Sequence, residues 1–226
     1  PLAELSKEFR PEKVGEKAKP EVHEIHEAKD ENVSRLLKEI SRSKLDTSKL
    51  RDNDHRILGQ KLDLFSFNEA APGQPFWHGK GLIIFNELLK MWRDIHKKAN
   101  YQEISTPQIL DNKVWKVSGH WKLYRDNMFI TNYEDRDFAV KPMNCPGAML
   151  IYRTKTRSYK DLPLRLAEVG AVHRKELSGT LAGLFRVVRI TQDDAHIFCA
   201  EDQLEEEIIN VIKLFKEVLD KFNFGY

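Results

Sequence analysis

The stretch from Leu164 to Cys199 constrains the fold more than any other part of the chain. It holds strand-like runs at 164–174, 186–192 and 195–199, the first two joined by a connection rich in small turn-forming residues, Ser178-Gly179-Thr180 and Gly183. Earlier strand candidates lie at 128–131 and 138–141, and the late strands are joined by loops too short for successive crossover helices. The prediction is an α+β domain built on an antiparallel β-sheet flanked by helices.

Hydrophobic periodicity places the helices. Leu82, Phe85, Leu88, Leu89, Trp92, Ile95 and Ala99 mark one broad face of a long helix after the Gly79-Lys80-Gly81 entry. Leu204, Ile208, Ile212, Phe215, Leu219 and Phe222 form the stripe expected to be buried in a second, with acidic residues near its start and lysines toward its end, as a helix dipole favours. A helix over 150–159 is expected to start beyond the Cys145-Pro146-Gly147 turn. Residues 101–110 predict a strand interrupted by Thr106-Pro107, an edge or interface position because proline lacks an N–H. Residues 1–30 are rich in Lys and Glu, and a short amphipathic helix follows over 32–40. The chain therefore divides into an arm or linker, 1–50, and a folded domain, 51–226.

Charge excludes little: 32% of residues are charged, yet the net charge is only +2, so a nucleic-acid partner must be argued locally. Arg125, Arg153, Lys155, Arg157 and Lys160 form either such a patch or ordinary solvated surface. Two cysteines, Cys145 and Cys199, make no disulfide framework and fit a reducing compartment, with Cys199 a small core residue. No apolar run reaches membrane-spanning length and the N-terminus does not read as a targeting peptide, so a cytoplasmic protein without a membrane partner is expected.

The usual phosphate cradles, GxxxxGK[ST] and GxGxxG, are absent, as are HExxH and CxxC, and His23 and His26 sit in the arm without a metal role. Arg174 and Glu176 are two apart and would share one face of a strand. Such a pair is either a surface salt-bridge ladder or an arginine fork aimed at a phosphate. Cys145 and His196 are the plausible metal pair, the alternative being a buried thiol and a hydrogen-bonded imidazole.

Several blocks of sequence together narrow these choices. The runs DHRILGQKLDLFSF, APGQPFWHGKG, YQEISTPQIL, WKVSGHWKLY, FAVKPMNCPGAMLIY, TRSYKDLPLRLAEVGAVHRKELSGTL and TQDDAHIFC resemble the catalytic domain of the threonyl-tRNA synthetases, class II aminoacyl-tRNA synthetases. The resemblance implies the class II catalytic fold and a ligase that activates L-threonine with ATP and Mg2+ and transfers it to tRNA(Thr). It implies that Arg174 holds the α-phosphate and the amino acid carboxylate, that Glu176 contacts the adenine, and that Arg186 reaches the outer phosphates. Gln192, Asp194 and Met143 would surround the amino acid, and His120 would lie near the ATP and the tRNA terminus. Cys145 and His196 would be two of three zinc ligands, and Pro107 would lie at a homodimer interface. The family's third motif and third zinc ligand would fall beyond Tyr226, so the chain is expected to lack them. Ala148, Ala182, Val188 and Ile190 depart from the family pattern, which leaves an alternative: an impaired synthetase-like protein serving dimerisation, regulation or tRNA binding.

Overall fold

The computed structural model describes residues 50–225, so the arm and the expected helix over 32–40 lie outside the described residues. The first helix, α1 (His55–Lys61), is capped by Asp54, whose carboxylate accepts from the Arg56 amide at 2.9 Å. A short hairpin follows, β1 (Phe65–Phe67) and β2 (Pro75–Trp77), with Phe65 opposite Trp77. The long helix α2 (Gly79–Lys98) packs tightly at its start, where a Cβ on Gly81 would lie 1.9 Å from the Leu64 carbonyl oxygen. Of its expected face, Trp92 and Ile95 are buried while Leu82 and Leu88 stay exposed, so only the later half of the stripe is covered.

The interrupted strand resolves into two short pieces, β3 (Gln102–Glu103) and β4 (Ile109–Asp111), with Pro107 in the connection between them. Helices α3 (Asn112–Val117) and α4 (His120–Leu123) lead to β5 (Ile130–Tyr133) and β6 (Arg136–Val140), which form an antiparallel sheet in the order β4-β6-β5. Beneath it Trp115, Met128 and Ala139 make a buried cluster flanked by Leu110, Trp121 and Tyr124.

Helix α5 (Cys145–Tyr152) starts at the turn instead of beyond it and ends well before Tyr159. Pro146 occupies its first turn, where a missing N–H costs no intrahelical bond, so the proline that reads as a breaker is a starter. Next come β7 (Leu164–His173) and β8 (Arg189–Phe198), a ten-residue antiparallel ladder from Leu164 opposite Phe198 to His173 opposite Arg189. The two strands expected at 186–192 and 195–199 are thus one strand, running straight through Asp193-Asp194. Aspartate disfavours strands in isolation, but Asp193 meets His96 of α2 at 3.2 Å and Asp194 accepts from Asn144 at 2.8 Å, so tertiary partners override propensity. The short β3 adds to β7 in parallel, the one departure from the antiparallel expectation among the described strands.

Alternation along β7 and β8 separates two faces. Arg165 and Asp193 face the helices, His96 meeting Asp193 and Arg165 gripping Glu207 of α6 (Leu204–Lys221) through an Nε to Oε2 bond of 2.6 Å. This pairing reverses the expectation for α6: Glu207 is its buried residue, whereas Ile212 and Phe215 are each 61% exposed. Periodicity shows which residues share a face of a helix but not what that face meets. Here a two-pronged ion pair, not the apolar stripe, lies against the sheet.

Candidate functional site

The opposite face of the ladder carries the candidate site. Gln192, Asp194 and His196 alternate along β8 and so project together, beside Gly170, Glu168 and Leu166 of β7. Over them lies the loop Pro142-Met143-Asn144-Cys145 that joins β6 to α5. Between loop and strand is a cavity of about 440 Å³ lined by Met143, Cys145, Arg174, Gln192, Asp193 and Asp194. Five of these residues, all but Asp193, are ones the sequence singled out.

Arg174 directly follows β7. Its amide continues the ladder to the Val188 carbonyl at 2.9 Å, and its Nε donates to the Pro142 carbonyl at 3.1 Å. The guanidinium is therefore anchored to backbone at one edge, and Arg174 lines the cavity. Glu176 is not the partner of Arg174: Arg186 grips it instead, with Nε and Nη2 at 3.0 and 2.9 Å from Oε2. Glu176 thus pairs with Arg186 and not with Arg174, whose Nε is taken by the Pro142 carbonyl.

The connection between the strands is held from an unexpected quarter. His55 of α1 accepts from the Leu184 amide through Nε2 at 2.8 Å, next to Gly183, whose φ of 54° suits a residue without a Cβ. Burial pushes the His55 ring below its usual range despite the neighbouring Asp54, which favours the neutral ring that this bond requires.

His120 bridges Ser118 Oγ and Met143 Sδ, each at 2.8 Å, and burial likewise lowers its pKa. This couples the Ser118-Gly119-His120 turn to the cavity wall. Cys145 is the first residue of α5; burial, then the charge of Asp194, push its thiol up, so a cation beside it would be needed to favour the thiolate. His196 Nδ1 lies 4.0 Å from Asp194 Oδ1, beyond hydrogen-bond range. A thiol and an imidazole suit zinc chemically, but no group of three or more His, Cys, Asp or Glu side chains arranged for a metal occurs among the described residues. Two donors do not complete a tetrahedral shell.

Three features were missed in the sequence. Asn144, only 1% exposed, donates from Nδ2 to Asp194 at 2.8 Å and to Gln192 at 3.4 Å. Gly170 makes room for it, since a Cβ there would lie 2.2 Å from that nitrogen, and a glycine inside a strand was the available clue. Lys141, fully buried, donates to Glu168 Oε1 at 2.9 Å and to Thr106 Oγ1 at 2.8 Å, while the Thr106 amide donates to the same carboxylate at 2.8 Å. That network ties the segment before Pro107 to the strand bearing the site.

The basic residues proposed as a patch are distributed among aromatic neighbours: Arg125 lies over Trp121 and Arg157 over Tyr152. Ala148 and Val188, two of the departures from the family pattern, are buried, so a polar side chain at either place would need different surroundings. No helix among the described residues is long and apolar enough to cross a membrane.

Comparison with known proteins bears on the same region. Residues 128–226 match the tRNA synthetase class II core domain (G, H, P, S and T). Threonine--tRNA ligases of Natranaerobius thermophilus and Clostridium botulinum are 56% and 54% identical over 176 residues, 78% of this chain. The chain spans about 28% of the length of those relatives. Among solved structures, the RNA binding domain of threonyl-tRNA synthetase from Cryptosporidium parvum superposes with a TM-score of 0.75 at 40% identity, over 76% of this chain and 43% of that one. Prolyl-tRNA synthetase of Giardia lamblia, solved with prolyl-adenylate, superposes with a TM-score of 0.67 at 18% identity, over 74% of this chain and 35% of that one, and shows the fold alone.

Proposed function

The chain carries a class II aminoacyl-tRNA synthetase core of the threonyl-tRNA synthetase kind, and from that premise we propose that its cavity binds threonine and ATP and joins them as threonyl-adenylate. The observation that carries this reading is the convergence of Arg174, Gln192 and Asp194 on one cavity, Arg174 from beyond the His173 end of the ladder and Asp194 from within it, opposite Glu168. An α-amino acid has the complementary groups.

In this reading Asp194 accepts from the ammonium and Gln192 orients the substrate beside it, while Met143 closes the wall. The carboxylate then attacks the α-phosphorus in line. A carboxylate oxygen–phosphorus bond forms, the bond to the β-phosphate oxygen breaks, and pyrophosphate leaves with that electron pair. Arg174 spans the reacting carboxylate and the α-phosphate, where its fixed donors oppose the developing charge without reorganising. Glu176 meets the adenine edge and Arg186, 56% exposed in its side chain, turns to the outer phosphates. Magnesium, when bound, would neutralise phosphate charge. In the second step the terminal ribose hydroxyl of tRNA(Thr), near His120, attacks the adenylate carbonyl and AMP departs. No side chain forms a covalent intermediate.

Cys145 and His196 would be two protein ligands of a zinc ion. A homodimer is proposed through the edge at Pro107 and β4, and the cytoplasm is proposed as the setting, where Cys145 and Cys199 would stay free thiols.

The test is calorimetric titration of the full-length protein with a non-hydrolysable threonyl-adenylate mimic. The reading expects saturable binding that weakens about tenfold or more in Arg174→Ala, the loss of hydrogen bonds to a charged group. Absence of binding, or equal binding by the variant, contradicts it.

A further inference from the structure

We propose that Asn144 is a positioning residue for the amino acid, fixing which atoms of Asp194 and Gln192 face the substrate. The inference rests on the reading of the cavity as an amino acid site and adds to it a residue that does not itself line the cavity.

The position of Asn144 is unusual for its chemistry. It stands at the N-cap of α5, where asparagine ordinarily gives its side-chain oxygen to a backbone N–H of the first turn, yet it makes no such bond. Its side chain turns instead toward β8, where Nδ2 donates to Asp194 Oδ2 at 2.8 Å and, more weakly, to Gln192 Oε1 at 3.4 Å. Which end of the amide faces Asp194 is fixed by chemistry, because an ionised carboxylate only accepts. The other end, Oδ1, is buried without a hydrogen-bond partner. An amide that leaves a helix start uncapped and its own carbonyl unpaired loses stability on both counts. Groups kept in that condition cluster where a site requires their geometry.

The geometry gained is specific. With Oδ2 held by Asn144 and Oδ1 4.0 Å from His196, one oxygen of Asp194, a residue that lines the cavity, is left without a hydrogen bond among the described residues. With Oε1 drawn toward Asn144, Gln192 presents its NH2 end. The pair thus offers one acceptor and one donor in a set order, which suits an ammonium beside a polar oxygen. Gly170 makes the arrangement possible: it pairs with Gln192 across the ladder, and a Cβ there would strike Nδ2 at 2.2 Å and Oδ1 at 2.6 Å.

Two substitutions reach the same geometry by independent routes. Asn144→Leu keeps roughly the size and shape but removes the donor, without setting a second carboxylate against Asp194. Gly170→Ala adds no polar group and displaces the Asn144 side chain. Both are assayed in the full-length protein by threonine-dependent exchange of labelled pyrophosphate into ATP, with KM measured separately for threonine and ATP and the melting midpoint recorded alongside.

For both variants the expectation is a KM for threonine raised about tenfold or more, as for a lost hydrogen bond to a charged group, with KM for ATP changed by less than about twofold. A merely structural role would move both constants together or, after refolding around the change, neither. Either of those results in an active protein overturns the inference. Should Gly170→Ala fail to fold, Asn144→Leu decides alone. Wild-type protein without threonine-dependent exchange overturns the amino acid site itself, and the role of Asn144 with it.

Discussion

Replacing Lys141 by methionine should uncouple the Pro107 segment from the site-bearing sheet. Lys141 is fully buried and Glu168 is 5% exposed, so the substitution leaves a carboxylate out of water with no cation beside it. Breaking a buried pair from one side costs about 3–5 kcal/mol, and the lower end applies because the Thr106 amide and hydroxyl still donate to Glu168, at 2.8 and 3.0 Å. With a urea slope of ~2 kcal/mol per molar, a loss of about 3 kcal/mol moves the unfolding midpoint down by about 1.5 M. Adding Glu168→Gln in the same chain removes the stranded charge while its amide oxygen can still accept from Thr106. The double variant should therefore recover to within about 1 kcal/mol of wild type. Urea unfolding followed by tryptophan fluorescence measures all three proteins. A single variant within about 0.5 kcal/mol of wild type, or a double variant no better than the single, would refute the reasoning.

The His55 bond to Leu184 should be lost in acid. The ring's folded pKa is depressed, so the stability it contributes is full above the ordinary histidine value and declines as pH falls through the folded value. Hydrogen exchange at the Leu184 amide, corrected for intrinsic rate, should show less protection at about pH 5.5 than at about pH 7.5, and equal protection would count against it. Arg165→Met strands Glu207, itself 4% exposed, and should cost about 3 kcal/mol in the same urea assay, with Arg165→Lys recovering only part because one ammonium cannot replace the two-pronged grip. Arg174→Lys keeps the charge but loses the fork and the Nε bond to Pro142; the rate of pyrophosphate exchange should fall about 10²-fold with a smaller change in KM for threonine, and an unchanged rate would remove Arg174 from the transition state.

Of the cavity's residues, Arg174 and Cys145 stood out by their own chemistry, whereas Met143, Gln192 and Asp194 were named only through the family resemblance, and the strand then puts Gln192 and Asp194 on one face. What escaped was fixed by packing between distant segments. Asn144 meets β8 through a gap that Gly170 leaves, and nothing local in either residue specifies the other. Lys141, Glu168 and Thr106 each read as unremarkable polar residues, because burial of a lysine depends on partners 27 and 35 positions away. The α6 stripe failed in the opposite sense: its period was correct, but Arg165 and Glu207 decided which face met the sheet. Asp193-Asp194 looked like a break between strands until His96 and Asn144 supplied partners. Pro146 was a helix start, a distinction that depends on one residue of register.

Threonine-dependent exchange of labelled pyrophosphate into ATP by the full-length protein tests the central claim most directly, with valine and serine as comparison substrates. The account predicts exchange with threonine that Arg174→Ala abolishes, and much weaker exchange with valine, which cannot satisfy the polar groups a hydroxyl would meet. A folded protein that gives no threonine-dependent exchange, or exchanges equally well without Arg174, would contradict it.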